Sequence, residues 1–313
     1  VYECFRAKEG VDPRYIGLVL ESGLLTPYFD STAIGSIRRR RRTTPAVFNA
    51  ASISLPPLPV QRRIVDLMAH LDNHLANLQT ERDAIRTMLD VTAEHLIAGH
   101  EQRTVREVAH SDKGLVGGPF GSSLVSKDYA DVGIPVIRGT NMPKASMFVG
   151  GEFAFVSEAK ASSLARNQAR PGDVIFTQRG TLGQVGLMPE TIPKAVVSQS
   201  QMRLRVDESK VLPEYVFFSF SRPSVVRGIQ EMNIATANPH INLGILAEME
   251  FPVPELRTQH EIVATLRALY AAYESAKLEE ESLRRMRSST LSEVLNRSVE
   301  LPFSYDSLLS EVA

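Results

Sequence analysis

Apolar residues recur at steps of three and four along two long stretches of the chain. In the first they fall at Ile64, Leu67, Leu71, Leu75, Leu78, Ile85, Leu89 and Leu96. In the second they fall at Ile262, Leu266, Leu269, Tyr273, Ala276, Leu283 and Val294, with Glu280 interrupting the series. Such spacing, kept up for about four to five heptads, predicts a coiled-coil seam. Neither 60–97 nor 258–297 contains Pro or Gly, and Gly99 offers the first helix a natural stop. A helix of about forty residues is roughly 60 Å long. An amphipathic helix lying on a core is the plainer alternative. The shared length and period favour a helix pair within the chain, with Ile64, Leu71, Leu78, Ile262, Leu269 and Tyr273 as interface residues.

Between these stretches the pattern changes. Residues 134–137, 172–176 and 201–206 are short β-type runs, and the last alternates apolar and polar positions like a half-buried strand. Pro213 to Arg227 reads as one helix, and residues 45–57 as a strand leading into the first long helix. Glycines and prolines divide the rest of 101–254 into many short elements. The fold class is α/β (α+β): a globular domain followed by a long helix.

The chain also repeats itself. Pro56, Leu58, Gln61 and Ile64-Val65 match Pro254, Leu256, Gln259 and Ile262-Val263 at an offset of 198. Leu71, Glu81 and Met88 match Leu269, Glu279 and Met286 on the same diagonal. Pro13-Arg14-Tyr15 matches Pro213-Glu214-Tyr215 at an offset of 200. An ordered series of this kind marks a duplicated unit.

Composition narrows the classes. The 313 residues suit about two domains, and 43% hydrophobic with 23% charged residues is ordinary for a globular protein. The single cysteine, Cys4, excludes a disulfide framework and a thiolate metal cluster, and fits a reducing compartment. The longest uncharged stretch, Thr43 to Gln61, carries Pro45, Pro56, Pro57 and Pro59 and does not suit a membrane span. No apolar run of signal-peptide type follows Glu3, Arg6 and Lys8. The net charge of −1 argues against a simple polyanion binder. Charge is uneven, however: residues 1–60 hold eight Lys and Arg against five Asp and Glu, a net of +3, and five of the cations are the run Arg38 to Arg42.

Four motifs stand in order: Gly117-Gly118-Pro119-Phe120-Gly121-Ser122-Ser123-Leu124; Gly133-Ile134-Pro135-Val136-Ile137-Arg138-Gly139-Thr140-Asn141; Pro171-Gly172-Asp173-Val174-Ile175-Phe176-Thr177-Gln178-Arg179-Gly180-Thr181; and His240-Ile241-Asn242-Leu243 ahead of Phe251-Pro252-Val253-Pro254. Together with the internal repeat, this series resembles the DNA specificity (S) subunits of type I restriction–modification systems. The resemblance implies two target-recognition domains carried by an antiparallel pair of long helices, each domain reading half of a bipartite site in double-stranded DNA. It implies docking of methyltransferase (M) subunits, which bring S-adenosylmethionine, and of a motor-nuclease (R) subunit. It implies no bound cofactor, no metal and no catalysis by the chain itself, and a cytoplasmic setting in a bacterium or archaeon.

On that resemblance the organisation is 1–57, the end of a first recognition domain; 58–99, a first conserved long helix; 100–256, a second recognition domain; 257–298, a second long helix; and 299–313, an acidic tail. The repeat offset then places roughly 95 residues of a first domain before Val1. A truncated parent subunit is the expectation. A natural half-subunit working as a homodimer is the alternative.

Candidate DNA contacts come from the polar loops. Ser122, Ser123 and Lys127 are donors beside a turn, suited to phosphates or base edges. Arg138 and Asn141, and Gln178, Arg179 and Thr181, follow strands; Gln can read adenine and Arg guanine in the major groove. For each loop a β-turn with solvated side chains is the competing reading. Asn238 and His240 lie in a polar loop with little charge, where His240 can equally be a structural hydrogen-bonding residue. Arg38, Arg40 and Arg42 occupy the corresponding loop of the first copy, where phosphate neutralisation competes with a merely solvated run. Two further readings stay open: a recognition module of a related fused or half-type methyltransferase system, and a coiled-coil scaffold that does not read DNA.

Overall fold

The computed structural model describes residues 4–35, 41–111, 113–143, 146–232, 240–296 and 301–302. Two compact units form. One comprises Val1–Asp83 with Ser275–Ala313, the other Ala84–Glu274. The first unit begins with helices α1 (Pro13–Glu21), α2 (Thr26–Thr32) and α3 (Pro45–Ala50). Two 40-residue helices, α4 (Leu58–Ile97) and α10 (Leu256–Leu295), each contribute one end to each unit. The stop at Gly99 is real: this glycine has φ +81°, a left-handed conformation that a side chain resists.

In the first unit, α1 opens with Pro13, and the Asp12 side chain accepts from Arg14 N. Its apolar face, Tyr15, Leu18 and Val19, is buried against Ile64, Val65 and Met68 of α4 and Leu291, Val294 and Leu295 of α10. The two long helices run antiparallel here. Arg287 bonds Asp72, Gln79 Nε2 donates to Glu280, and Leu75 and Leu78 pack on Leu283. Glu280, the interruption in the apolar series, is only 4% exposed and is also met by Arg82 and Arg284. Burial alone would raise its pKa. The bonds from Arg284 and Gln79 and the charge of Arg82 outweigh that and hold it below the ordinary glutamate range.

The strand expected over 45–57 does not form. Residues 45–50 are α3, capped by Thr44, whose hydroxyl accepts from Val47 N. Residues 51–57 form no helix or strand, and among the described residues no strand pairs with them. A strand without a ladder partner leaves its N–H and C=O groups to solvent.

Among the described residues, the second unit holds three sheets. A pair is formed by β1 (Gln102–Thr104), which leads into α5 (Val105–Val108), and β11 (Glu250–Pro252). A four-stranded antiparallel sheet has the order β2 (Leu115–Gly117), β10 (Gln201–Leu204), β7 (Val174–Thr177), β8 (Val185–Leu187). A five-stranded sheet has the order β3 (Tyr129–Ala130), β5 (Ala154–Val156), β4 (Ile134–Ile137), β9 (Ala195–Val197), β6 (Gln168–Ala169), with β4 and β9 parallel. Ile175 of the four-stranded sheet packs with Ile137, Ala169, Ala195 and Val197 of the five-stranded sheet. The opposite face of the four-stranded sheet, through Val174, Phe176, Met202 and Leu204, joins the main core with Leu89, Ala93 and Ile97 of α4 and Ile262, Val263 and Leu266 of α10.

Two expectations are corrected here. Strand β10 is not half-buried: Gln201 and Arg203 are buried along with Met202 and Leu204, because strands flank it on both edges and the five-stranded sheet packs on its polar face. The single helix over 213–227 is two, α7 (Pro213–Ser221) and α8 (Pro223–Glu231). Pro223 has no N–H, and Arg222 before it turns extended, with ψ 136°, ending α7. The unit is completed by α6 (Glu158–Ser163) and α9 (Leu243–Glu248), the latter capped by Asn242, whose side chain accepts from Ile245 N.

The duplication is present in three dimensions. Gln61 and Gln259 are both fully buried. The Gln61 side chain accepts from Asp12 N and donates to Gly10 O and Pro56 O. That of Gln259 accepts from Leu212 N and donates to Lys210 O and Pro254 O. Every partner lies 198 or 200 residues from its counterpart. Tyr15 and Tyr215 likewise donate to Ser54 O and Pro252 O, and caps Thr44 and Asn242 occupy equivalent places. One glutamine in each copy ties the segment before a long helix and the start of a short helix to the base of that long helix.

Candidate nucleic-acid interface

In the second unit the polar loops converge on one turn, Ser198-Gln199-Ser200, between β9 and β10. Its N–H at Ser198 donates to Ile137 O at the end of β4. Ser200 O accepts from both Gln178 N (2.8 Å) and Arg179 N (3.2 Å), fixing the loop after β7. Gln199 Nε2 donates to Gly121 O (2.9 Å) and Leu124 O (3.2 Å), fixing the loop after β2. Gln178 O in turn accepts from Ile241 N, and Arg179 bridges His240. Gly118 makes the convergence tight: a Cβ there would lie 1.9 Å from Ser198 O and 2.7 Å from Gln199 Cα. This close approach gives the Gly117-Gly118 pair a physical reason.

Ser122 and Ser123 sit exposed in a single turn, Gly121–Ser123, and Lys127 is exposed in the next turn, Ser126–Asp128. Asp128 accepts from Val125 N and pairs with Lys160; these two contacts hold its carboxyl below the usual range. Arg138 is half-buried in a cleft of about 490 Å³ with Gly121, Tyr129 and residues 198–200, and its Nε has no partner among the described residues. Gln178 is half-buried and Arg179 exposed. His240 is exposed. Thr181 is exposed and lines another cleft with Arg86, Ser146 and Tyr270.

Asn141 is corrected. It is 1% exposed, accepts from Arg138 N, and donates to Gly150 O and Glu152 O. Its hydrogen-bonding capacity is spent shaping the loop, and no surface is left to meet DNA. In the first unit, Arg42 is exposed and bridged to Ile34, while Arg41 donates to Asp30 O and Gly35 O. Arg38, Arg40 and Asn238 lie outside the described residues.

The helix-seam residues lie on the faces that α4 and α10 turn toward each other inside each unit. Ile64 is in the α1 cluster, Leu71 borders it, and Leu78 meets Leu283. Ile262 is in the core of the second unit, Leu269 packs on that core, and Tyr273 receives the Arg86 guanidinium over its ring at 5.9 Å.

Sequence reasoning missed the central turn. Ser198-Gln199-Ser200-Gln201 is a polar run between two apolar strands, and that pattern was available as a signal. It also missed Phe120, 81% exposed at the tip of the glycine-rich loop. Among the described residues there is no group of acidic, His and Cys side chains that could hold a metal ion, and no helix long and apolar enough to cross a membrane.

Residues 103–283 match the family model for the type I restriction modification DNA specificity domain. The chain belongs to that family. Among curated relatives of this specificity domain is the type I restriction enzyme MjaVIII specificity subunit of Methanocaldococcus jannaschii, 16% identical over 303 residues, covering 92% of this chain and 70% of the relative. The EcoBI specificity subunit of Escherichia coli is 24% identical over 110 residues, 35% of this chain and 23% of the relative. Two solved structures share the fold. One, from work on complex assembly and conformational transition of the type I R-M system, aligns with TM-score 0.61 at 17% identity over 93% of this chain and 73% of its own. The other, a type I S subunit from M. genitalium, gives 0.57 at 16% identity over 90% and 72%. The specificity-domain match takes in the loops that meet at residues 198–200.

Proposed function

We propose that this chain is the DNA-reading subunit of a type I restriction–modification complex, working in the cytoplasm. The second unit reads one half-site of a bipartite duplex target. The chain holds methyltransferase subunits, which carry S-adenosylmethionine, and a motor-nuclease subunit, and does no chemistry itself. The convergence of three polar loops on the Ser198–Ser200 turn carries this reading. It presents Ser122, Ser123, Lys127, Arg138, Gln178, Arg179 and His240 from one rigid support, and rigid placement is what base readout requires. Equivalent exposed methionines, Met88 and Met286, 57% and 51% exposed at the same repeat position, support a scaffold with two similar docking places.

The test is site-specific binding by the chain assembled with its methyltransferase, on the target defined by methylome sequencing. Arg179→Ala should weaken the cognate site by about 1–3 kcal/mol and relax preference at one base pair, leaving non-specific duplex binding almost unchanged. Equal loss on cognate and random duplex would assign Arg179 to phosphate contact, and no loss on either would remove this loop from the interface. Methyl transfer by the chain alone would overturn the non-catalytic reading.

A further inference from the structure

The second unit contains a basic cleft apart from the converging loops. It has a volume of about 620 Å³ and lies between β6 and β10. Six cations line it: Lys113, Arg166, Arg170, Lys194, Arg203 and Arg205. No carboxylate is among its lining residues. Two of the cations are already paired, Arg205 with Asp173 and Lys194 with Glu158. Lys113, Arg166, Arg170 and Arg203 have no ion-pair partner among the described residues.

Arg203 is the unusual member. It sits on a central strand and is only 3% exposed. One Nη donates to Lys113 O (2.9 Å), while Nε and the other Nη have no partner among the described residues. Burial pushes its pKa down, against the opposing pull of Asp173. A guanidinium buried with unused donors is costly unless an anion joins it. Its planar fork suits two oxygens of one phosphate. Lys113 and Arg166 are exposed, and Arg170 is exposed beside them, so the cleft is open to a ligand.

We propose that this cleft is a phosphate-binding site, with Arg203 at its base and Lys113, Arg166 and Arg170 as its rim. The phosphate belongs either to a duplex backbone or to a free phosphate. The rim is continuous with the glycine-rich loop: Asn167, next to Arg166, donates to Gly117 O (2.7 Å). A backbone phosphate held here would position the duplex without reading sequence. Only that source rests on the DNA-reading function; the site itself does not.

The experiment has two arms and uses the full chain. In the first, inorganic phosphate is titrated against chloride at matched ionic strength, and the thermal midpoint and the phosphorus-31 linewidth are followed. The wild type should gain several degrees at saturation, by linkage, and broaden the phosphate signal. Lys113→Ala/Arg166→Ala should lose both effects. Arg203→Met should lose them too; if that variant does not fold, the rim pair decides alone. No effect beyond chloride, or an equal effect on wild type and rim variant, overturns the proposal. Where the first arm is positive, the second assigns the source. For a backbone phosphate, the rim variant flattens the dependence of log K on log salt for a random duplex by about 0.9 per lost contact. An unchanged slope assigns the site to free phosphate. Absence of duplex binding altogether would refute DNA reading and leave the phosphate site standing.

Discussion

Replacing Gln259 by Leu removes one side chain that ties three segments together, at nearly constant volume. The substitution leaves Leu212 N–H, Lys210 C=O and Pro254 C=O without their partner. A buried polar group stranded this way costs about 1–3 kcal/mol. The three are not equal. Lys210 is exposed, so water can reach its carbonyl, whereas Leu212 and Pro254 are half-buried and less open to it. The summed cost is therefore roughly 2–4 kcal/mol. Gln61→Leu removes the same three kinds of bond, at Asp12, Gly10 and Pro56, and should cost a similar amount. Urea titration should show a lower midpoint at constant slope for each variant. Hydrogen exchange read by mass spectrometry should localise the damage: α1 and residues 8–12 open in Gln61→Leu, α7 and residues 208–212 open in Gln259→Leu. A loss below about 0.5 kcal/mol in either variant, within the range of ordinary surface changes, would refute the latch. So would the same protection pattern in both.

Other outcomes follow from the same contacts. Leu78→Ala, at a position 5% exposed against Leu283, should cost about 2–5 kcal/mol in urea titration, whereas exposed Met88→Ala should change stability by less than about 0.5 kcal/mol. Because Glu280 titrates below its unfolded value, its contribution is present above the ordinary glutamate range and is lost as pH falls from that range through the lower folded value; Glu280→Gln should flatten the acid limb of stability against pH, and an unchanged limb would exonerate the site. Gly118→Ala places a methyl group inside backbone of the central turn, so it should abolish cognate DNA binding while far-UV circular dichroism stays near wild type; normal binding would show that the turn does not organise the interface.

The long helices were legible because a period of three and four over about 40 residues marks a helix whether its apolar face meets a partner helix or a core. The duplication was legible for a different reason: Gln61 and Gln259 make identical bonds, so each copy needs the same residues at the same spacing. Local pattern failed where distant segments decide the environment. The alternation Gln201-Met202-Arg203-Leu204 suggested a solvent face, yet the five-stranded sheet covers it. Asn141 looked like a surface donor, yet Gly150 and Glu152, nine and eleven residues on, return to take its amide protons. Neither return is written in the four residues around it. The run 45–57 was expected to be a strand leading into the first long helix, but strand formation needs a partner and none is present among the described residues.

The candidate interface was half legible for a related reason. Each loop announced itself by composition, since Gly, Ser, Gln and Arg after an apolar strand mark a turn. Their meeting place did not. Residues 121, 138 and 178 are far apart in sequence and meet at the turn 198–200, and residue 240 joins them through Gln178 and Arg179. That turn spends its own polar groups inward, on Ile137 O, Gly121 O, Leu124 O and the amides of Gln178 and Arg179. A support of this kind frees the outer side chains to vary without disturbing the backbone that carries them. Changes at Arg179 or Ser123 should therefore alter what is read, whereas changes at Gly118, Gln199 or Asn141 should abolish reading altogether. On the proposed function, that distinction separates residues that would choose a target from those that would make any choice possible.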